Sequence, residues 1–295
     1  VSGVSEGARG LPDPRLRAFV RSYQGYLMRG FDPGTHIGMP GTDLTVIVTI
    51  DEPLDIPVSP HPGQAPGTWE TMASGLTVRP CSIAHRGFQH GIQLEVTPQG
   101  ARALLGVPVA ELGSWVIDLA DLLGADVPEL RERVSATSDW PKRFAILDEI
   151  LLRRVADTAM DPNLRHAWRL LTAGSGQARV ADVATEIGWS RRYLGSRFVA
   201  EFGITPKDAA RLARFEFSHR LLRSVATAAG LSVYTPRRLD LSIAEVAAAA
   251  GYYDQAHMAR EWRELAGMPP STWLANEQFP FVQDRERLPL EGSAT

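Results

Sequence analysis

Two short stretches hold side chains suited to reading a nucleic acid. One carries Arg191, Arg192, Gly195, Ser196 and Arg197, and the other Gln255, Ala256, His257 and Arg260. Guanidinium and carboxamide groups are shaped for bidentate hydrogen bonds with guanine and adenine edges in the DNA major groove. That chemistry needs the residues on one side of a rigid helix that turns its other side to a core. Leu194 and Phe198, and likewise Met258 and Trp262, stand four residues apart and supply that inward side. Gly195 is unusual in mid-helix, where it costs about 1 kcal/mol relative to Ala. Two readings of it stand: it lets backbone approach the DNA, or it reads nothing. His257 is either a reading residue or merely exposed. Arg197, Arg211 and Arg214 are either solvated charges or phosphate contacts.

The elements that must position these residues come as a pair. At an offset of 64, Ser190 meets Asp254, Leu194 meets Met258, Phe198 meets Trp262, Gly203 meets Gly267 and Pro206 meets Pro270. Upstream the offset is 63, with Val183, Ala184 and Gly188 matching Val246, Ala247 and Gly251. The second copy therefore has one extra residue in its turn. Each unit reads as helix–turn–helix. A glycine ends the first helix in a left-handed conformation. Ser190 or Asp254 caps the second, its side chain accepting from free amides. Val180, Val183, Ala184 and Ile187, and Ile243, Val246 and Ala247, mark the buried side of each first helix. Alanine-rich stretches such as "VAAAAG" let the paired helices cross closely.

Charge separates this region from the rest. Residues 1–162 carry a net charge of −6, residues 163–275 one of +5, and the tail one of −2. A basic segment beside an acidic one fits a polyanion meeting only part of the chain. The 295 residues suggest about two domains. No apolar run reaches 18 residues, which argues against a transmembrane helix. The N-terminus lacks the pattern of a signal peptide, and a cytoplasmic location is expected. The single cysteine, Cys81, excludes an intramolecular disulfide and a cysteine-rich zinc site. It reads as a buried small hydrophobe. There is no Gly-x-Ser-x-Gly, P-loop or dinucleotide fingerprint. His36, His61, His85 and His90 lack the spacing of a metal site and read as structural or surface residues. No cofactor is expected.

Upstream the texture is different. "DLTVIVTI" (Asp43–Ile50), "GLTVRPCSI" (Gly75–Ile83) and "GIQLEVT" (Gly91–Thr97) read as strands, with the Pro/Gly-dense "DIPVSPHPGQAPGTW" as a loop between them. From Pro98 the pattern turns helical. Trp140–Val155 places Phe144, Leu147, Leu151 and Val155 at helical spacing, as local core or as a dimer helix. The division expected is a disordered start (1–14), a sensing or dimerisation domain (15–161), a DNA-binding domain (162–275) and a tail (276–295).

The C-terminal region resembles the DNA-binding domain of the AraC/XylS family of bacterial transcription regulators. The resemblance lies in "VADVATEIGWSRRYLGSRFVAEFGITP" and "IAEVAAAAGYYDQAHMAREWRELAGMPP", with "RLARFEFSHRLL" (Arg211–Leu222) similar to the helix joining the two units. It implies an all-α domain whose helices, at 190–202 and 254–266, enter successive major grooves of double-stranded DNA. By position Arg192, Gly195 and Ser196 match the family's reading slots in the first unit. Gln255, Ala256, His257 and Arg260 match those in the second. It implies an α+β N-terminal domain, a small cupin-like β-barrel followed by helices. RNA polymerase, a small-molecule effector of unknown identity and a second copy of the chain are the further partners implied. The segment 224–240 is longer than the family's usual connection, and Arg237 and Arg238 there are candidate phosphate contacts. The competing reading is an enzyme with its active site in the N-terminal domain and an appended DNA-binding module.

Overall fold

The computed structural model describes residues 3–157, 160–228 and 241–276. The segment 229–240, with Arg237 and Arg238, lies outside the described residues, as does the tail from 277. The N-terminal half is built on ten strands: β1 (Val4–Gly10), β2 (Val20–Arg29), β3 (Gly34–Gly38), β4 (Leu44–Thr49), β5 (Leu54–Val58), β6 (Gly67–Trp69), β7 (Thr71–Ser74), β8 (Cys81–His85), β9 (Gln89–Val96) and β10 (Val116–Ile117). A six-stranded sheet has the order β1-β2-β9-β4-β7-β10, and a four-stranded sheet the order β3-β8-β5-β6. All pairings are antiparallel.

Alternation along the strands decides what each face meets. In β4, Val46 and Val48 join the main core, while Ile47 points the other way. Ile47, Met72 and Val116 of the larger sheet pack against Leu54, Ile56 and Ile83 of the smaller one. The expected barrel thus takes the form of two sheets face to face. A cavity of about 70 Å³ lies between them, lined by Met28, Met39, Ile47, Met72 and Gln93 among others. Helices cover the opposite face of the larger sheet. These are α1 (Pro98–Gly100), which runs on into a π-helical turn at Ala101–Leu105, then α2 (Val109–Leu112), α3 (Leu119–Leu123), α4 (Asp126–Ser135) and α5 (Trp140–Arg154). In α5, Phe144, Leu147, Ile150 and Leu151 are buried in this local core.

Three sequence readings need correction. Residues 1–14 read as disordered, yet Val4–Gly10 is a strand paired with Val20–Arg29 along its whole length. Backbone hydrogen bonds hold it, so its Gly, Ser and Ala content is no obstacle. At Gly10 a Cβ would come 2.4 Å from the ring of Phe144, so the small residue is what lets α5 pack there. The Pro/Gly-dense loop holds β5 and β6. Pro57 sits where the β5–β8 register is interrupted between Asp55 and Val58, a place where the missing amide donor is tolerated. Gly75–Pro80 is not strand, and β8 starts only at Cys81.

The C-terminal half is helical throughout its described residues: α6 (Pro162–Thr172), α7 (Val180–Glu186), α8 (Arg191–Phe202), α9 (Pro206–Ala228), α10 (Ile243–Ala249), α11 (Gln255–Ala266) and α12 (Pro270–Asn276). One continuous core joins it to the helices of the first half. Polar links cross between the halves among the described residues, at Glu201 and at Glu216. Arg102 donates to both carboxylate oxygens of Glu201 at 2.6 and 2.7 Å. Thr42, in the β3–β4 loop, donates from its hydroxyl (2.8 Å) and its amide (3.3 Å) to Glu216 on α9.

Candidate nucleic-acid interface

The two units are built alike, with the same glycine conformation and the same first hydrogen bond at their turns. After α7, Gly188 takes a φ of +71°, and Trp189 N–H donates to the Ala184 carbonyl at 2.8 Å. After α10, Gly251 takes a φ of +77°, and Tyr252 N–H donates to the Ala247 carbonyl at 2.9 Å. A positive φ favours glycine, which explains its recurrence. Ser190 accepts from Tyr193 N–H at 3.2 Å and Asp254 from His257 N–H at 2.6 Å, so both expected caps form. The extra residue of the second turn lies at Tyr252–Tyr253, and Tyr253 is 93% exposed.

Behind α8, Leu194, Phe198 and Phe202 are fully buried. Trp168 of α6 stacks on Phe198 and meets Phe202 at a tilt, with ring centroids 5.7 and 4.5 Å away. Behind α11, Trp262 takes the place of Phe198 and packs on Phe215 of α9 and Trp273 of α12, at 4.8 and 5.7 Å. Its indole N–H donates to Ser218 Oγ at 2.9 Å, and that hydroxyl donates to the Phe215 carbonyl at 2.7 Å. The Trp262 indole and the Ser218 hydroxyl are thus satisfied while α11 is fixed to α9.

Arg211 and Arg214, on α9, are neither solvated nor turned outward. Arg211 pairs with Asp208 (3.2 Å), Glu261 (3.3 Å) and Glu264, and Arg214 with Glu261 (2.9 Å). Their partners on α11 lie some 50 residues away, which is why chain position alone leaves them ambiguous. His257 is half-buried. Its Nδ1 faces Tyr253 N–H at 3.4 Å, its Nε2 lies 3.6 Å from Glu261, and Tyr252 meets it edge-on. It belongs to the turn more than to the outer face.

The remaining sequence-chosen residues lie outward. Arg191, Arg192, Ser196 and Arg197 are exposed on α8, as are Gln255, Ala256 and Arg260 on α11. A Cβ built on Gly195 meets nothing within 4 Å, so that position faces open space. Arg191, Arg192, Arg197 and Arg260 hold no ion pair among the described residues. With the buried side fixed, the 100° step per residue places Arg192, Ser196 and Val199 in line opposite the core of α8, with Tyr193 beside them. The same construction on α11 gives Ala256, Arg260 and Arg263. Tyr193, Val199 and Arg263 are not among the residues chosen from sequence. The signal is present there, because helical spacing from Leu194 and Met258 reaches them.

Elsewhere, burial pushes the Cys81 thiol up to about 12, the opposite of what a reactive thiolate needs. His36 lies 3.2 Å from Gln89, His90 is paired with Asp51 at 2.6 Å, and His61 stacks on Trp115. No helix among the described residues is long and apolar enough to cross a membrane.

A family profile described as a helix-turn-helix domain, of the AraC type, matches residues 183–276. The chain carries an AraC-type helix-turn-helix domain. The AraC-type domain so matched starts inside α7 and ends with α12, and so includes both units and α9. Beyond it, the chain is 25% identical over 198 residues to YidL, an uncharacterized HTH-type transcriptional regulator of Escherichia coli (strain K12). That likeness covers 63% of this chain and 60% of the relative, so the chain spans less than two thirds of the relative's length. The crystal structure of an apo point variant of ToxT from Vibrio cholerae strain SCE256 is similar in fold, with a TM-score of 0.51 and 12% identity. The match covers 86% of this chain and 97% of that one, and so includes the strand-rich half as well as the AraC-type domain.

Proposed function

We propose that this protein is a sequence-specific transcription regulator that reads two successive major grooves of double-stranded DNA through α8 and α11. The observation that carries the reading is the matched presentation of two outward helix faces by two capped turns, each with guanidinium groups that hold no ion pair among the described residues. A recognition helix meets base edges with its N-terminal turns, and equivalent helices bind about one duplex turn apart, roughly 34–36 Å. Arg191, Arg192, Ser196 and Arg197, with Gln255, Ala256 and Arg260, are the proposed DNA-facing set. Gly195 contributes no side chain and admits close approach of the backbone.

The strand-rich half is the proposed modulating domain. Its cavity is the candidate seat of a small-molecule effector, and the polar links to Glu201 and Glu216 are the candidate routes to the DNA-reading units. The Met39–Asp43 segment lines the cavity and also carries Thr42, which bonds Glu216. Contact with RNA polymerase and association with a second copy belong to the same reading.

The test is selection of random DNA fragments by the purified chain at near-physiological salt, followed by sequencing. An enriched motif of two blocks about one helical turn apart is the expected result. Enrichment of a single block, or of none, with and without cell extract as an effector source, contradicts paired groove reading.

A further inference from the structure

The internal repeat lines up the two outward faces residue by residue. At the offset of 64, Arg192 meets Ala256, Tyr193 meets His257, Ser196 meets Arg260 and Val199 meets Arg263. The cores match in kind, but the outer faces exchange their chemistry. The first helix carries its cation at the start and an apolar group two turns on. The second carries alanine at the start and cations further on.

Val199 is the informative member. It is 42% exposed, and Tyr193 is 50% exposed with its ring edge-on to Trp189 at 4.8 Å. Neither takes part in the core behind α8, which Leu194, Phe198 and Phe202 form. A β-branched residue at a solvent-facing helix position is a poor helix former compared with alanine, so folding alone gives no reason for Val199. In the major groove, thymine alone among the four bases presents a methyl group, and apolar side chains recognise it by contact.

We propose that Val199 is a thymine-selecting contact, so that the first unit reads thymine by its methyl while the corresponding position of the second unit, Arg263, is a cation. The inference rests on the DNA-reading role proposed above for α8. It makes the binding site asymmetric, with the apolar discrimination confined to one half.

The experiment uses the full chain and the DNA fragment enriched by selection. Each thymine is replaced singly by deoxyuridine, which removes only the 5-methyl group, and affinity is measured by fluorescence anisotropy at fixed salt. In the wild-type chain at least one position in one half-site is expected to lose affinity by about fourfold, the effect of withdrawing one methyl group from an apolar contact. In Val199→Ala that position should bind thymine and deoxyuridine equally. In Arg260→Ala the thymine preference should persist although overall affinity falls. Alanine is the better helix former, so Val199→Ala folds, and its helical circular dichroism checks this. A thymine preference that survives unchanged in Val199→Ala overturns the assignment. So does specific binding in which no thymine methyl matters. Absence of specific binding to the unmodified fragment instead overturns the DNA-reading role itself, and is seen before any deoxyuridine is introduced.

Discussion

Removing the guanidinium of Arg102 should strand a carboxylate in the seam between the two halves of the molecule. Glu201 is almost enclosed there, its side chain 7% exposed, and both of its oxygens accept from Arg102. The register-matched residue of the second unit is Leu265, an apolar core residue. Breaking a buried pair by removing one partner costs about 3–5 kcal/mol. Arg102 is 30% exposed, so water reaches the vacated space and the expected cost of Arg102→Ala drops to about 2–3 kcal/mol. The double variant Arg102→Met with Glu201→Leu restores the apolar solution used by the second unit. Replacing a buried pair by packed apolar groups is often neutral, and the double variant should lie within about 1 kcal/mol of wild type. The assay is urea unfolding followed by tryptophan fluorescence, with midpoints compared at constant m. A double variant whose loss equals the sum of the two single losses would refute the coupling, as would an Arg102→Ala loss below about 0.5 kcal/mol.

Two further outcomes follow from the caps and the buried histidines. Ser190→Ala removes the acceptor of Tyr193 N–H and should cost about 1 kcal/mol, with faster amide exchange in the first turn of α8. Unchanged exchange there would remove Ser190 as the cap. Burial, reinforced by the neighbouring His85, holds His36 at about 3, and burial likewise lowers His219. The unfolded chain therefore binds more protons than the folded one between about pH 6.5 and 3, and stability falls as pH is lowered through that window. Between pH 6.5 and 5 the His36 share of this loss is about 2 kcal/mol. Thermal unfolding at the two pH values should show it, and His36→Gln should flatten the dependence. An equally steep fall in that variant would assign the effect elsewhere.

The helical half is legible in the sequence because its signals are local. A glycine, a cap and two apolar residues four apart lie within a dozen positions, and having two copies removes the ambiguity of one. The strand-rich half is only partly legible. β1 has no apolar alternation, because its place is fixed by pairing with β2 and by the ring of Phe144 against Gly10. β5 contains Pro57, which reads as a breaker unless the interrupted register beside it is known. In the candidate interface, spacing alone sets the outward faces well, and Arg192, Ser196 and Arg260 lie where helix geometry puts them. Arg211 and Arg214 stay undecided from sequence because their carboxylates come from another helix. Glu201 gives no signal there because its partner is 99 residues away.

Helix α9 runs for 23 residues between the two units. At about 1.5 Å per residue it is about 34 Å long, close to the length of one turn of DNA. A rigid helix acts as a gauge. It fixes distance and angular phase together, because each residue along it adds both a rise and a rotation of about 100°. Since α11 is seated on Arg211, Phe215 and Ser218, a residue inserted in α9 ahead of them would shift the spacing and the heading of the second unit at once. On the proposed reading, the separation of the two sequence blocks on the DNA follows from where α11 sits along one helix, independently of which bases either block contains.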